Sequence, residues 1–144
     1  MKKKILIAGG SGLLGSSLLD HFDKFKYDIF HTIHKKKNNI KNVKFLKINF
    51  NNKLDINKLK NLNFDLIINC IGLSNIERCE ENHELAKKLN ITIPNILNNF
   101  AKKNKIKLIH ISTDHLFNGK RNLYFENDKT NSLNVYAKSK LKSE

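Results

Sequence analysis

The chain has 144 residues, which predicts one domain over residues 1–144 with a hydrophobic core of its own. The formal net charge is +14, but the lysines are scattered and only Arg78 and Arg121 are arginines; because nucleic-acid interfaces favour clustered arginine, the charge indicates a solvated surface and argues against nucleic-acid binding. No apolar stretch is long enough to cross a membrane, and the run after Lys2–Lys4 meets glycines too early for a signal peptide, so we expect a cytoplasmic protein.

The first predicted element is a short strand, Lys4–Ala8, whose uninterrupted apolar residues are typical of a strand buried on both faces. A glycine-rich turn follows, and then apolar residues at helical spacing over Leu13–Phe25. Glycines in such a turn let the backbone approach a pyrophosphate, and the N–H groups at the start of the helix bind phosphate. The pattern predicts a cofactor phosphate site, with an ordinary strand-to-helix turn as the alternative. Its residues are Gly9, Ser11, Gly12, Leu13, Leu14 and Gly15.

Tyr27–Ile33 predicts a second strand and Val43–Ile48 a third. NAD-binding domains place Asp or Glu at the end of the second strand, where the carboxylate binds the ribose 2′-hydroxyl. Here basic residues follow that strand instead: His34, Lys35, Lys36 and Lys37. A basic cluster suits a 2′-phosphate, so the sequence predicts NADPH, with NADH as the alternative; a lysine-rich loop in a lysine-rich protein would look the same. After the third strand, Asn49 is placed to reach the adenine edge, with Phe50 beside it.

Three elements follow in the middle of the chain: a short helix, a fourth strand and a long helix, over Leu54–Leu62, Phe64–Ile71 and Glu80–Asn104. Pro94 should kink or divide the long helix, because proline removes a helical hydrogen bond. Cys70 is expected to be a buried thiol. Neither Cys70 nor Cys79 has histidines at zinc-binding spacing, so we predict no metal site, while a disulfide between the two stays open.

Lys107–Ser112 predicts a fifth strand, and Val135–Glu144 begins a further helix. Strands that alternate with helices form a parallel sheet through right-handed crossovers. The sequence therefore predicts an α/β fold: a doubly wound, Rossmann-type parallel sheet with the strand order 3-2-1-4-5.

Tyr136 and Lys140 are four residues apart near the start of the last predicted helix, so their side chains share one face. A phenol with an ordinary pKa of about 10 is a poor acid at neutral pH unless a nearby cation stabilises its phenolate. Lys140 supplies that cation and can also hold the hydroxyls of the nicotinamide ribose. Ser112 and Thr113 follow the fifth strand, where a hydroxyl can orient a substrate carbonyl. The alternative for Tyr136 and Lys140 is an ordinary pair on a helix surface.

These residues belong to longer motifs. Leu108–Gly119 contains Ser-Thr-Asp followed by Phe-Asn-Gly, and Asn134–Leu141 reads Asn-Val-Tyr-Ala-Lys-Ser-Lys-Leu. With them, the chain, and most strongly its second half, resembles the dTDP-4-dehydrorhamnose reductase family of extended short-chain dehydrogenases. Two positions depart from the family pattern: His115 stands where the family commonly has Tyr, and Ala137 where it commonly has Gly.

The resemblance implies Thr113, Tyr136 and Lys140 as the catalytic set. It also implies that Asn90, in the long predicted helix, helps to position the lysine through water. A run of residues after the fourth strand would bring its backbone near the nicotinamide: Cys70, Ile71 and Gly72.

The resemblance further implies NADPH-dependent reduction of a 4-keto group on a nucleotide-activated deoxysugar, with a dTDP-linked sugar as the expected substrate, and it allows a homodimer. The family continues into a smaller lobe that grips the sugar nucleotide, which we expect to be missing here. Two alternatives stay open. One is a nucleotide-sugar epimerase or dehydratase, against which the Ser-Thr-Asp block argues. The other is a non-catalytic dinucleotide-binding subunit, related to the regulatory subunit of methionine adenosyltransferase.

Overall fold

The computed structural model describes residues 2–33 and 42–144. The chain forms two compact units. The first, here named the sheet unit, comprises Met1–Ile71 and Ile96–Ile111. The second, here named the helical unit, comprises Gly72–Asn95 and Ser112–Glu144.

Five parallel strands form the sheet. They are β1 (Lys3–Ala8), β2 (Tyr27–Ile33), β3 (Lys44–Lys47), β4 (Leu66–Asn69) and β5 (Lys107–His110). Their order is β3-β2-β1-β4-β5, so the predicted doubly wound order is confirmed. In the centre, Ile7 of β1 pairs with His31 on one side and with Ile68 on the other. The carboxyl ends of all the strands therefore lie at one edge of the sheet, where open α/β sheets bind ligands.

The core of the sheet unit forms between the central strands and the first helix, α1 (Leu13–His21). A cluster of buried aliphatic side chains lies there: Ile5, Ile7, Leu19, Ile29 and Ile68. Each such side chain stabilises the fold by roughly 1.5–3 kcal/mol when fully buried. The continuous apolar run of β1, from Ile5 to Ala8, is what a strand covered on both faces requires.

Helix α1 ends at His21, four residues before the predicted end at Phe25. The carboxylate of Asp23 explains the early end, because its Oδ1 accepts hydrogen bonds from the N–H groups of Phe25 (2.8 Å) and Lys26 (3.2 Å). Such a local turn competes with helix continuation. Phe22 still packs on the core, but Phe25 is 87% exposed. The prediction that Phe25 belongs to the apolar face of the helix was therefore wrong.

β3, β4 and β5 are each shorter than the predicted strands, and the second helix, α2, spans Lys53–Lys60. β4 ends at Asn69, whose Oδ1 accepts the N–H of Ile71 at 3.0 Å and turns the chain. Cys70 lies beyond this end and is half-buried rather than buried as predicted; partial burial still raises the pKa of its thiol. Both Cys70 and Cys79 are free thiols, which settles the open question of a disulfide.

The helical unit begins with two short helices where the sequence predicted one long helix. They are α3 (Ile76–Glu81) and α4 (His83–Lys87). Asn75 caps α3 by accepting the N–H of Arg78, and Asn82 caps α4 by accepting the N–H of Leu85. Two asparagine caps explain the error: Asn75 lies five residues before the predicted start at Glu80, and Asn82 lies two residues after it. A side-chain cap of this kind favours the start of a new helix.

A π-helical turn, Lys88–Thr92, follows α4 and leads into α5 (Ile93–Lys103). Its wide hydrogen bond joins the N–H of Ile93 to the carbonyl of Lys88. Proline within a regular helix collides with the carbonyl four residues earlier, which for Pro94 is that of Asn90. The widened turn accommodates Pro94, so the predicted disturbance takes the form of a π turn.

The remaining elements of the helical unit are a short 3₁₀ turn, Asp114–Leu116, and the last helix, α6 (Val135–Leu141). Asn134 caps α6 by accepting the N–H of Ala137 at 2.8 Å. A small buried cluster of Leu73, Cys79 and Ala86 packs against Val135 and Tyr136 on α6. No helix in residues 2–33 and 42–144 is long and apolar enough to cross a bilayer.

Candidate functional site

The glycine-rich turn of the sheet unit joins β1 to α1. Gly9 has a φ of +87°, a conformation that favours glycine. Its carbonyl accepts the N–H of Gly12 at 3.0 Å, and the carbonyl of Gly12 accepts the N–H of Ser16 at 2.9 Å, which starts the helix. No side chain caps α1. The helix therefore opens directly from a backbone loop, as a phosphate-binding helix does.

The glycines of this turn have different reasons to lack a side chain. A Cβ on Gly15 would lie 2.3 Å from the carbonyl oxygen of Gly9, and a Cβ on Gly10 would lie 2.6 Å from the ring of His31. These two glycines serve internal packing. A Cβ on Gly12 would meet nothing closer than 3.4 Å, and Gly12 is exposed. Gly12 thus presents bare backbone to the solvent side, where a ligand can approach.

Residues around Gly12 are also exposed, although two of them are apolar. Leu13 is 93% exposed, Leu14 is exposed, and so is Ser11. Two adjacent leucines exposed at the start of a helix are compatible with a surface that a ligand covers. The open glycine, the uncapped helix and the exposed leucines together fit the diphosphate of a dinucleotide.

Two residues at the end of β2, His31 and Thr32, contact the glycine turn. The hydroxyl of Thr32 accepts the N–H of Gly9 at 2.9 Å, and the His31 ring occupies the space beside Gly10. The sequence prediction did not include these two residues. The basic residues predicted to bind a 2′-phosphate lie outside the residues that the structure describes: His34, Lys35, Lys36 and Lys37.

Asn49 and Phe50 follow β3. Asn49 is exposed, and its Oδ1 accepts the N–H of Asn51 at 3.1 Å, so that oxygen is engaged in a local turn. The N–H of Asn49 donates to Asp55, whose pKa is lowered by the hydrogen bond from Lys58 and, next, by this one. The ring of Phe50 is buried. The contact of Asn49 with adenine stays a prediction, and it would use the NH2 group of the side-chain amide, since the Oδ1 is engaged.

The segment after β4 lies against the glycine turn. A Cβ on Gly9 would lie 2.9 Å from Cγ1 of Ile71 and 3.1 Å from the carbonyl carbon of Cys70. The structure therefore places two of the predicted nicotinamide-side residues, Cys70 and Ile71, beside the predicted phosphate loop in the sheet unit. Gly72 begins the helical unit and is exposed, with its own Cβ position 3.3 Å from Oδ1 of Asn90.

The helical unit carries Tyr136 and Lys140 on successive turns of α6. Lys140 is only 5% exposed, and burial lowers the pKa of its ammonium, an effect that the negative charge of Glu144 opposes. Tyr136 is half-buried, and the imidazole of His115 meets its ring edge to face, with the centroids 5.8 Å apart. A buried ammonium one turn from a tyrosine is the arrangement that stabilises a phenolate.

Thr113 lies at the start of the 3₁₀ turn in the same unit. Its hydroxyl accepts the N–H of His115 at 3.3 Å and donates to Asp114 at 3.4 Å, so the turn fixes the side chain. The adjacent Ser112 is hydrogen-bonded to Glu144 at the end of the chain. The helical unit thus holds the three residues predicted to be catalytic: Thr113, Tyr136 and Lys140.

Asn90 lies in the π turn and is fully buried. Its Oδ1 accepts the N–H of Leu73 at 2.7 Å, and its Nδ2 donates to the carbonyl of Leu73 at 3.0 Å and to the hydroxyl of Ser139 at 2.8 Å. Ser139 in turn donates to the carbonyl of Tyr136. Asn90 is therefore linked directly to the helix of Tyr136 and Lys140, and its predicted action on the lysine through water stays a prediction.

The sequence prediction missed Ser139, although one signal pointed to it. Ser139 lies three residues after Tyr136, within the same helical turn as Lys140. A hydroxyl at that spacing bonds back to the helix carbonyl and turns its oxygen towards a buried partner. Within residues 2–33 and 42–144, no three His, Cys, Asp or Glu side chains form a cluster that could hold a metal ion.

Residues 2–144 match the model of the family described as the RmlD substrate binding domain. dTDP-4-dehydrorhamnose reductase of Salmonella typhimurium is 33% identical over 87 residues, covering 60% of this chain and 29% of that protein. Methionine adenosyltransferase 2 subunit beta of Danio rerio is 31% identical over 146 aligned positions, covering 99% of this chain and 42% of that protein.

The fold also matches solved structures. The crystal structure of dTDP-4-dehydrorhamnose reductase from Bacillus anthracis, in complex with NADP, superposes with a TM-score of 0.83 at 22% identity. The match covers 99% of this chain and 48% of that one. The chain thus spans about half the length, or less, of the proteins that it resembles.

Proposed function

Because this chain belongs to the RmlD substrate binding domain family, we propose that it carries the cofactor-binding and catalytic residues of a reductase. The proposed reaction is NADPH-dependent reduction of a 4-keto group on a nucleotide-activated deoxysugar. The name of the Salmonella relative supports a dTDP-linked 4-keto-sugar as the substrate. The observation that carries the proposal is the burial of Lys140 one helical turn from Tyr136. Burying a charged side chain costs free energy, and such residues occur most often where the chemistry of a site needs the charge.

The cofactor diphosphate would bind over the exposed backbone of Gly12 and the start of α1, where Ser11, Leu13 and Leu14 are also exposed. Gly9 and Gly15 would shape this loop from inside. Asn49 would reach the adenine, while Cys70, Ile71 and Gly72 would offer backbone to the nicotinamide. NADPH is favoured over NADH by the basic residues after β2, and the NADP of the Bacillus anthracis structure, which has the same fold, agrees with that choice.

The bound nicotinamide would supply the hydride. Tyr136 would deliver a proton from its hydroxyl to the carbonyl oxygen of the substrate. The ammonium of Lys140 would stabilise the phenolate that remains, and the hydroxyl of Thr113 would orient the carbonyl. Asn90 would hold the helix of both residues in place through Ser139. The two free thiols agree with a cytoplasmic location. We also propose a homodimer, which light scattering would test.

The test uses the unmodified chain with NADPH and dTDP-4-dehydrorhamnose, and follows the loss of NADPH absorbance. The rate of the unmodified chain is the reference, and we expect it to fall by at least about a hundredfold in Tyr136→Phe, which removes the proton donor. Gly12→Ala should weaken NADPH binding while leaving the fold intact, because the added Cβ meets no atom closer than the Gly9 carbonyl oxygen at 3.4 Å, an ordinary contact. Equal rates for the unmodified chain and Tyr136→Phe would refute the catalytic assignment.

A second function is favoured by one observation: the beta subunit of methionine adenosyltransferase 2 aligns over 99% of this chain, whereas the Salmonella reductase aligns over 60%. A non-catalytic dinucleotide-binding subunit would bind NADPH without turnover. In the same assay, tight binding of NADPH with no reduction of the keto-sugar would support this alternative. Binding of NADH and NADPH with equal affinity would contradict the preference for the 2′-phosphate.

A further inference from the structure

We infer that the end of β2 sets the shape of the cofactor loop, with Thr32 and His31 as positioning residues for the diphosphate. The inference rests on the proposed cofactor site. It assigns to β2 a role that does not involve contact with the cofactor. The two residues act on successive glycines of the turn, Gly9 and Gly10, and both lie inside the sheet unit.

Thr32 acts through a hydrogen bond. Its side chain is buried, with 3% of the residue exposed, and its Oγ1 accepts the N–H of Gly9 at 2.9 Å. The carbonyl of Gly9 accepts the N–H of Gly12 at the same time. The backbone of Gly9 is therefore held at both ends, in its positive-φ conformation. Because Gly12 is the open glycine at the start of α1, the hydroxyl of Thr32 fixes the backbone that the diphosphate would meet.

His31 acts by filling space. The residue is 1% exposed, and both its Cβ and its Nδ1 lie 2.6 Å from the Cβ position of Gly10. Its Nδ1 has no hydrogen-bond partner among the described residues. A buried nitrogen without a partner destabilises a fold, so the ring has a use other than polar pairing. That use is to support the backbone at Gly10 from the sheet side.

This mechanism predicts a definite pattern of cofactor binding. The diphosphate is common to NADPH and NADH, so disturbing the loop should weaken both cofactors by the same factor. The basic residues after β2 would instead act on the 2′-phosphate and would change the ratio between the two cofactors. The two roles of this region can therefore be separated by measuring both affinities.

The first experiment compares Thr32→Val, which keeps the shape of the side chain but removes the acceptor, with Thr32→Ser, which keeps the hydroxyl. We expect Thr32→Val to weaken the binding of NADPH and of NADH alike, by about five- to tenfold. Thr32→Ser should bind both cofactors as tightly as the unmodified chain. The amide proton of Gly9 should shift upfield in Thr32→Val alone, without cofactor. Ile33→Val, at the end of the same strand, is the matched control and should leave both affinities unchanged.

The second experiment tests the steric role of His31. Gly10→Ala should weaken cofactor binding because the new methyl group collides with His31. Adding His31→Gly removes the collision and should recover part of the binding, whereas adding His31→Ala keeps the Cβ that lies 2.6 Å away and should recover none. Thermal unfolding of each variant shows which of them fold, and the Gly10 amide resonance reports the loop in those that do.

Failure of the inference is distinct from failure of the proposed function. If the unmodified chain bound neither cofactor, the proposed function would fail, while the Gly9 amide shift would still test the role of Thr32. If the unmodified chain bound NADPH and Thr32→Val changed neither its affinity nor the Gly9 resonance, the inference on Thr32 would be overturned. Equal recovery by His31→Gly and His31→Ala would overturn the inference on His31.

Discussion

Lys140 is a residue whose burial lowers the stability of the fold while its charge serves the proposed reaction. The residue is almost entirely buried, and burial lowers the pKa of its ammonium even though Glu144 acts in the opposite direction. A lowered lysine pKa means that the folded protein holds this proton less tightly than the unfolded chain does. The charged form therefore costs free energy in the fold at neutral pH, and a neutral side chain of similar length would not carry that cost.

We predict that Lys140→Met raises the free energy of unfolding by about 0.5–2 kcal/mol while abolishing reductase activity. Methionine preserves the packing of the lysine stem and removes the charge that must be buried. Urea unfolding at neutral pH, combined with the NADPH oxidation assay, measures both effects. Lys138→Met, on the exposed face of the same helix, is the control and should change neither quantity. A destabilised Lys140→Met variant would contradict the prediction.

The burial of His31 leads us to predict how the free energy of unfolding changes at low pH. Burial lowers its pKa below the ordinary value of 6.5, so the unfolded chain binds the proton more readily than the folded protein. The free energy of unfolding should therefore fall as the pH drops through 6.5, and the loss is complete once the pH is below the lowered pKa of the folded state. Above that range this residue contributes no pH dependence.

In His31→Gln this part of the acid sensitivity should disappear. Urea unfolding as a function of pH provides the measurement, and His21→Gln, which changes an exposed histidine, serves as the matched control. Parallel pH profiles for His31→Gln and the unmodified chain would show that another group is responsible.

Among the elements, the π turn and α6 are joined by the amide of Asn90. This side chain replaces the hydrogen bonds that an adjacent strand would give to the backbone of Leu73 and adds one to Ser139. Such a buried network is stabilising when every member has a partner, and expensive when one is removed. The position of α6, and with it that of Tyr136 and Lys140, thus depends on a residue in a different helix.

We predict that Asn90→Leu lowers the free energy of unfolding by about 2–4 kcal/mol. The substitution removes the partner of the buried N–H of Leu73 and leaves its carbonyl with only the weak thiol donor of Cys79. Ser139→Ala, which removes the bond accepted from Asn90 and the bond donated to the carbonyl of Tyr136, should cost about 1–2 kcal/mol. Urea unfolding measures both, and Asn99→Ala, on an exposed position of α5, is the control. Equal effects of Asn90→Leu and Asn99→Ala would contradict the role given to Asn90.

The alternation of apolar strands and amphipathic helices was enough to predict the order of the sheet. It did not predict where elements end, because the ends depend on single side chains such as Asp23, Asn75 and Asn82 that bond to nearby backbone. In the site, spacing identified Tyr136 and Lys140. The partners across the fold were not predictable, since Asn90 meets residues 17 and 49 positions away in sequence and no local pattern records such a contact.

At the scale of the whole molecule, the dominant property is charge. The formal net charge of +14 is carried by a chain that spans about half the length of its relatives. Like charges repel one another in a compact state, and dissolved salt screens that repulsion. The same excess of positive charge would attract a cofactor or substrate with several phosphate charges.

We predict that raising the salt concentration to about 0.5 M increases the melting temperature by a few degrees and weakens NADPH binding. Thermal unfolding and fluorescence titration over a salt series measure the two effects. A neutral solute such as sucrose is the control for binding, because it stabilises folded proteins without screening charge. A melting temperature that falls with salt would show that attractive ion pairs outweigh the net repulsion.

The π turn has a consequence for the rotational phase of the helices around it. One residue advances a regular α-helix by about 100°. The turn from Lys88 to Thr92 contains one residue more than a regular helical turn would, so the residues that follow it, Ile93–Asn95, are rotated by about that angle relative to a helix continued from α4. Deleting a single residue here would regularise the helix, yet it would swing Asn90 away from Leu73. The irregular turn therefore lets one continuous segment face two different directions.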